Sequence, residues 1–197
     1  MTKIIARRIE KHIKDNAILS PEQTGFRKSY STLDHIQALT ALVEKSYEYN
    51  VRVYSVFIDF KKAFDSIALA ALWNAMTHFK FDENLIKLIH PLYAKGSASI
   101  EIDGHMAELD IQRGVRQGDS LSPLLFVLLL QHVLKKVPWR GRGLNINGEL
   151  LKYFAYADDV VLFAISSEEL TGMIEDLNMN LREAGPQINY AKTKWLR

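Results

Sequence analysis

Apolar positions in this chain recur with two periods. Around Ile5, Ile9 and Ile13 the spacing is helical, with Lys3, Arg7, Lys11 and Lys14 on another face, which predicts an amphipathic helix over 3–15. Further helices are predicted over 32–49, 67–79, 82–94, 122–136 and 167–184. Ser31 with Asp34, and Ser166 with Glu169, have the spacing of reciprocal helix caps. Leu170, Met173, Ile174, Leu177 and Leu181 form a stripe that reads as core. Shorter apolar runs predict strands over 51–59, 97–103, 107–113, 144–147, 150–157 and 160–165. Asp103-Gly104 and Asn147-Gly148 read as hairpin turns. The apolar run from Leu121 to Leu130 is shorter than the roughly 20 residues of a membrane span, so it reads as a buried helix.

Two of the strand-like runs are interrupted by acids. Val51 to Phe60 reads VRVYSVFIDF, with Val51, Val53, Ser55, Phe57 and Asp59 on one face by the period of two. Both faces carry apolar residues, as in a central strand covered by helices. Asp59 stands at its exit. Phe154 to Phe163 reads FAYADDVVLF, where Asp158 and Asp159 break a run that otherwise favours burial. An unpartnered buried carboxylate is costly. A tight turn at Ala157-Asp158-Asp159, with both carboxylates at the tip, removes the conflict. Two like charges about 4 Å apart repel by roughly 4 kcal/mol at an effective dielectric near 20. A hard divalent cation reverses that sign. If the two strands are neighbours, Asp59, Asp158 and Asp159 converge as the ligand set for two magnesium ions and in-line phosphoryl transfer.

A third stretch supplies complementary chemistry. Arg113 to Pro123 reads RGVRQGDSLSP. Gly114 and Gly118 permit positive φ or close backbone approach to a ligand. Ser122 reads as a helix cap and Pro123 as the first helical residue. Arg113, Arg116, Gln117 and Asp119 then lie on a polar loop at the mouth of a buried helix. Arginines, a planar amide and backbone N–H groups suit a nucleotide with its phosphates.

Composition changes this picture little. The chain has 197 residues, a net charge of +2 and no cysteine, which excludes disulfides and thiolate metal sites. No signal peptide, membrane span or repeat is visible. The charge balance does not announce a nucleic-acid binder, but basic residues cluster at Arg27-Lys28, Arg113–Arg116, Lys135–Arg142 and Lys192–Arg197. Such clusters suit phosphate backbones.

These motifs together resemble the reverse transcriptase domain of non-LTR (LINE-type) retrotransposons. PEQTGFRKSYSTLDHI (21–36) is similar to the fingers motif around "EQAGFR…ST.DHI". VFIDFKKAFDSI (56–67) is similar to the first palm motif, and RGVRQGDSLSPLLF (113–126) to the nucleotide and template loop. LNINGELLKYFAYADD (144–159) resembles the strands entering the catalytic turn, and AGPQINYAKTK (184–194) the "GL.iN..KTK" motif. The resemblance implies an α+β fold, the fingers and palm of a right-hand polymerase, with a small antiparallel palm sheet backed by helices. It implies partial fingers over 1–50, palm over 51–94 and 116–197, and a hairpin insertion over 95–115, with no thumb.

The implied activity is RNA-directed DNA polymerisation, adding deoxynucleotides to a primer 3′-hydroxyl. By resemblance, Asp59 and Asp158 ligate two magnesium ions, with manganese able to substitute, and Asp159 assists. Phe64 lies under the nucleotide sugar and disfavours a 2′-hydroxyl. Ala63 and Phe64 amides face the triphosphate, Gln117 and Gly118 line the nucleotide pocket, and Arg27 reaches the phosphates. Lys192 falls near the leaving pyrophosphate as a proton donor, and Tyr156 beside the primer end. Asp65 also matches, and equally reads as a cap for the helix that follows. The implied partners are an RNA template, a DNA primer and dNTP, with endonuclease and thumb domains in the intact element, no membrane, and an intracellular setting, nuclear or cytoplasmic. The chain departs from the family pattern at Pro186, Ser29 and Gln131. The alternatives are a truncated, inactive relic that at most binds nucleic acid, and an RNA-dependent RNA polymerase, against which Phe64 argues.

Overall fold

The computed structural model describes residues 2–27, 31–94, 97–102, 105–110, 113–116 and 118–197. The elements in order are α1 (Thr2–Asp15), α2 (Thr32–Glu48), β1 (Tyr54–Ile58), β2 (Phe60–Lys61), α3 (Leu69–His78), α4 (Glu83–Ala94), β3 (Ser97–Ile102) and β4 (His105–Asp110). There follow α5 (Ser122–Lys136), β5 (Leu144–Ile146), β6 (Glu149–Leu151), β7 (Tyr153–Tyr156), β8 (Asp159–Ala164), α6 (Ser167–Ala184), β9 (Gln187–Ile188) and β10 (Lys194–Leu196). No helix among the described residues is long and apolar enough to cross a membrane.

A four-stranded sheet in the order β10-β1-β8-β7 organises the fold, and every pairing in it is antiparallel. The alternation read from the sequence decides its two faces. Val56, Ile58, Val160 and Leu162 are buried in the main core, with α5 and α6 residues such as Leu125, Leu129, Met173 and Leu177. Helix α5 is buried from Ser122 through Leu134 apart from Pro123, which explains why its sequence is apolar on all sides. Burying a side chain of this size contributes about 1.5–3 kcal/mol. The opposite face carries a smaller cluster of Val161, Phe163 and Leu144, against which Leu39 and Leu42 of α2 pack.

Several boundaries differ from expectation for physical reasons. The run 150–157 divides at Lys152, because 149–151 pairs with β5 while 153–156 pairs with β8. The cap of α5 is Leu121, not Ser122, whose hydroxyl donates instead to the Arg116 carbonyl. Asp65 does not cap α3, whose N-cap is Ala68. The Ser166 cap accepts from Glu169 N at 3.1 Å, as its spacing predicts. The Asn147-Gly148 hairpin has φ of +53° and +92° at its two loop residues, the signature of the expected turn. The Asp103-Gly104 turn lies outside the described residues.

Candidate active site

Strands β1 and β8 are neighbours, with Ile58 opposite Val160. Asp59 therefore follows the last paired residue of one strand, and Asp159 precedes its partner on the other. The β7–β8 hairpin pairs Tyr156 with Asp159, so the loop is only Ala157-Asp158. Asp158 sits at the tip, while Asp159 is the first residue of β8 rather than part of the turn. The three acids thus meet at one end of the sheet from positions about a hundred residues apart in sequence.

Their electrostatics agree with that placement. The Asp159 carboxyl titrates above its ordinary range: its own partial burial raises it most, then Asp158, then Asp59. Among the described residues the ion pairs are Lys45–Glu48, Lys87–Glu83 and Arg142–Asp176, none of them at these aspartates. Carboxylate oxygens are donors of the type that a hard divalent cation takes. Among the described residues, no three acidic, imidazole or thiol groups are gathered closely enough to hold a metal ion. Asp158 and Asp59 are near enough to Asp159 to help raise its titration.

Asp59 is held by a turn that the sequence analysis did not single out for it. Asn189 Nδ2 donates to Asp59 Oδ2 at 2.9 Å, and Asn189 N to Asp59 O at 2.7 Å. Asp59 N donates to Thr193 Oγ1 at 3.3 Å. Asn189 O in turn accepts from Lys192 N and Thr193 N. The exposed Lys192 is thereby carried on the same turn as the residues that orient Asp59. The signal was present, since Asn189 and Thr193 are among the fixed letters of the motif read over 184–194.

The remaining motifs gather on the turn after β2. Val115 N donates to Phe64 O at 3.0 Å and Gly114 N to Ile67 O at 2.8 Å. A Cβ on Gly114 (φ +87°) would lie 2.8 Å from Asp65 O. From the other side Ala68 N donates to Ala184 O, and a Cβ on Gly185 would lie 2.0 Å from Ser66 O. Pro186 is accommodated because pairing with β2 begins only at Gln187. Ala63 is buried, and the Phe64 ring lies 4.8 Å from that of Phe126, centroid to centroid. Gly118 has φ +83° with open space around it, so backbone there is accessible to a ligand. Gln117 lies outside the described residues.

Several basic groups are engaged within the fold. Arg27 Nη1 donates to the carbonyls of Ser20 and Gln23, both at 3.2 Å, so the guanidinium ties its own turn. In the Lys135–Arg142 cluster, Lys135 Nζ donates to Ile18 O at 2.7 Å, and Arg142 pairs with buried Asp176. That cluster is partly spent on structure rather than offered to phosphates.

Beside the aspartates, under α2, lies a cavity of about 270 Å³ lined by His35, Ile36, Leu39, Phe57, Tyr156 and Asp159 among others. The His35 ring stacks on Phe154 at 4.9 Å, and burial lowers its pKa, against which Asp34 acts weakly.

A family profile described as "Reverse transcriptase (RNA-dependent DNA polymerase)" matches residues 1–197. Among curated relatives, the Pol polyprotein of the retrotransposable element R2DM of Drosophila melanogaster is 27% identical over 98% of this chain. The R2 Pol polyprotein of Nasonia vitripennis is 28% identical over 94% of it. The chain spans 18% of the length of each of these relatives. Among solved structures, telomerase from Candida tropicalis in complex with a fragment of telomeric RNA superposes with a TM-score of 0.72. That match has 14% identity and covers 98% of this chain and 32% of the other.

Proposed function

The chain belongs to the reverse transcriptase (RNA-dependent DNA polymerase) family, and from that premise we propose that it is the fingers-and-palm part of a retrotransposon enzyme that copies RNA into DNA. Its relatives are Pol polyproteins of R2 elements, and its fold is that shared with telomerase. In this reading the antiparallel sheet with α3, α5 and α6 behind it is the palm, and α1 and α2 belong to the fingers side. Template RNA, primer and dNTP meet at the aspartate end of the sheet.

The observation that carries the proposal is the meeting of Asp59, Asp158 and Asp159 at one sheet end, with the Asp159 carboxyl raised by its burial and then by the other two. Asp59 and Asp158 would hold the cations, and Asp159 would add negative charge. Bound magnesium would supply activation of the primer hydroxyl and neutralisation of the leaving pyrophosphate. Asn189 and Thr193 hold Asp59 in orientation, which is worth keeping because catalysis of this kind is positioning plus electrostatics. Phe64, braced on Phe126, would close off room for a 2′-hydroxyl. Ala63, Gly118 and Gln117 would line the nucleotide pocket. Lys192 would protonate the pyrophosphate. Arg27 would reach the triphosphate from the fingers, its guanidinium steadied by the carbonyls of Ser20 and Gln23.

Primer extension on a short RNA template with magnesium tests this. Wild-type chain should incorporate dNTP, and Asp158→Asn should lower incorporation by about 100-fold or more. Equal incorporation by the two would refute the assignment.

A further inference from the structure

The tip of the β7–β8 hairpin leaves the backbone N–H and C=O groups of its two loop residues without ladder partners. Ala157 and Asp158 are the two loop residues, and Ala157 has φ +57°. A two-residue loop with positive φ at its first position ordinarily carries glycine there, and a side chain in that region costs roughly 1–2 kcal/mol. Ala157 is also buried, at 6% exposure. Its N–H and C=O must therefore find partners within the protein or remain unsatisfied at a cost of about 1–3 kcal/mol.

Gln23, which is 0% exposed, provides them. Its Oε1 accepts from Ala157 N at 3.2 Å and from Gly25 N at 2.9 Å. Its Nε2 donates to Ala157 O at a longer 3.5 Å. Backbone pairing fixes the segment that bears it: Thr24 N donates to Ala155 O at 3.0 Å and Ala155 N to Glu22 O at 2.9 Å. Gln23 thus lies beside Ala155 as a short parallel addition to β7. One neutral amide, 134 residues away in sequence, braces the residue that immediately precedes the aspartate pair.

We propose that Gln23 is a positioning residue for Asp158 and Asp159: by bonding both backbone polar groups of Ala157 it fixes the strained loop that carries Asp158 and leads into Asp159. It touches no substrate. Its catalytic consequence rests on the polymerase reading above; its structural consequence does not.

The test uses the whole 197-residue chain with Gln23→Met, which keeps the volume and removes the hydrogen bonds, and Gln23→Glu. Amide exchange followed by NMR reads the brace directly. In Gln23→Met the Ala157 amide should exchange at least about 10-fold faster, with Val161 and Leu162 unchanged. Steady-state primer extension should show kcat lowered by about 100-fold, the scale of a misplacement near 1 Å, with KM for dNTP within about twofold. Gln23→Glu should recover activity relative to wild type as pH falls, because the protonated carboxyl restores both a donor and an acceptor, whereas Gln23→Met should not. Wild-type exchange at Ala157 in Gln23→Met overturns the proposal, as does an unchanged kcat in an otherwise active chain. If wild type itself incorporates nothing, the polymerase reading fails and the exchange comparison alone decides the brace. If Gln23→Met does not fold, the ratio of Ala157 exchange in Gln23→Glu to that in wild type, taken at the same pH, decides it: a ratio falling toward one on acidification supports the brace, and a ratio that does not change with pH overturns it.

Discussion

Adding one methyl group at Gly25 should disturb both stability and activity. A Cβ there would lie 2.1 Å from Ala157 N and 2.8 Å from Ala157 Cα. An ordinary contact begins at 3.4 Å, so the two backbones must part by about 1.3 Å. Neither obstacle is a flexible side chain that can rotate away. The 22–25 segment has to recoil from β7, or the hairpin tip has to shift. Overpacking of this kind costs about 1–3 kcal/mol, and losing one net hydrogen bond between Thr24 and Ala155 or between Gln23 and Ala157 adds about 1 kcal/mol. Gly25→Ala should thus be destabilised by about 2–4 kcal/mol in urea unfolding. A displacement near 1 Å beside the aspartates should also lower single-turnover incorporation by about 100-fold. Asp158→Asn supplies the baseline of a dead site. A variant within about 0.5 kcal/mol and threefold of wild type would refute the argument, because it would mean that the close approach of Gly25 to the loop is not a constraint.

Other expectations follow from the charged groups. Asp159 has a folded-state pKa above its ordinary 3.8, so the cation-free chain should lose stability as pH rises from about 3.8 through the elevated value. Asp159→Asn should abolish that loss in EDTA, and magnesium at ten times its dissociation constant should add about 1.4 kcal/mol to wild type at pH 7 and less at pH 4; identical thermal profiles for the two chains would contradict this. His132 has its pKa pushed down to about 4, first by burial, then by Lys136 and His78, so the stability it preserves is complete above about 6.5 and is lost as pH falls toward 4. His132→Phe should flatten that part of the urea-midpoint curve, and an unaltered slope would count against it. Arg142→Ala should cost about 3–5 kcal/mol by stranding the buried Asp176 carboxylate, with much of the loss regained in the double variant Asp176→Leu; equal loss in single and double variants would show that packing, not charge, matters there.

How far the sequence disclosed the site depended on whether a residue broke its local pattern. Asp59, Asp158 and Asp159 were legible because an acid in an apolar strand is an anomaly, and period-two alternation puts Asp59 in phase with Ser55 and Phe57. Helices with one greasy face were legible too, and so was the Asn-Gly hairpin. What escaped was chemistry that leaves no local trace. A glutamine between Glu22 and Thr24 looks like surface until its partner at Ala157 is known. Arg142 looked like one more cation in a basic cluster until α6 brought Asp176 to it. Ser122-Pro123 had the letters of a helix start, but the Arg116 carbonyl claimed the serine hydroxyl and the start moved by one residue. Asn189 and Thr193 were quoted as motif letters, yet only tertiary contact reveals that they hold Asp59.

The sheet has one guarded margin and one open one. Residues 22–24 occupy the outer side of β7, whereas β10 has no strand beyond it among the described residues and carries Trp195 and Leu196 at 67% and 59% exposure. Sticky, unpaired margins of this type recruit extended peptide from other molecules. Self-association of the purified chain should accordingly begin at 194–196, and a lysine at Leu196 would be the first change to make when handling it at high concentration.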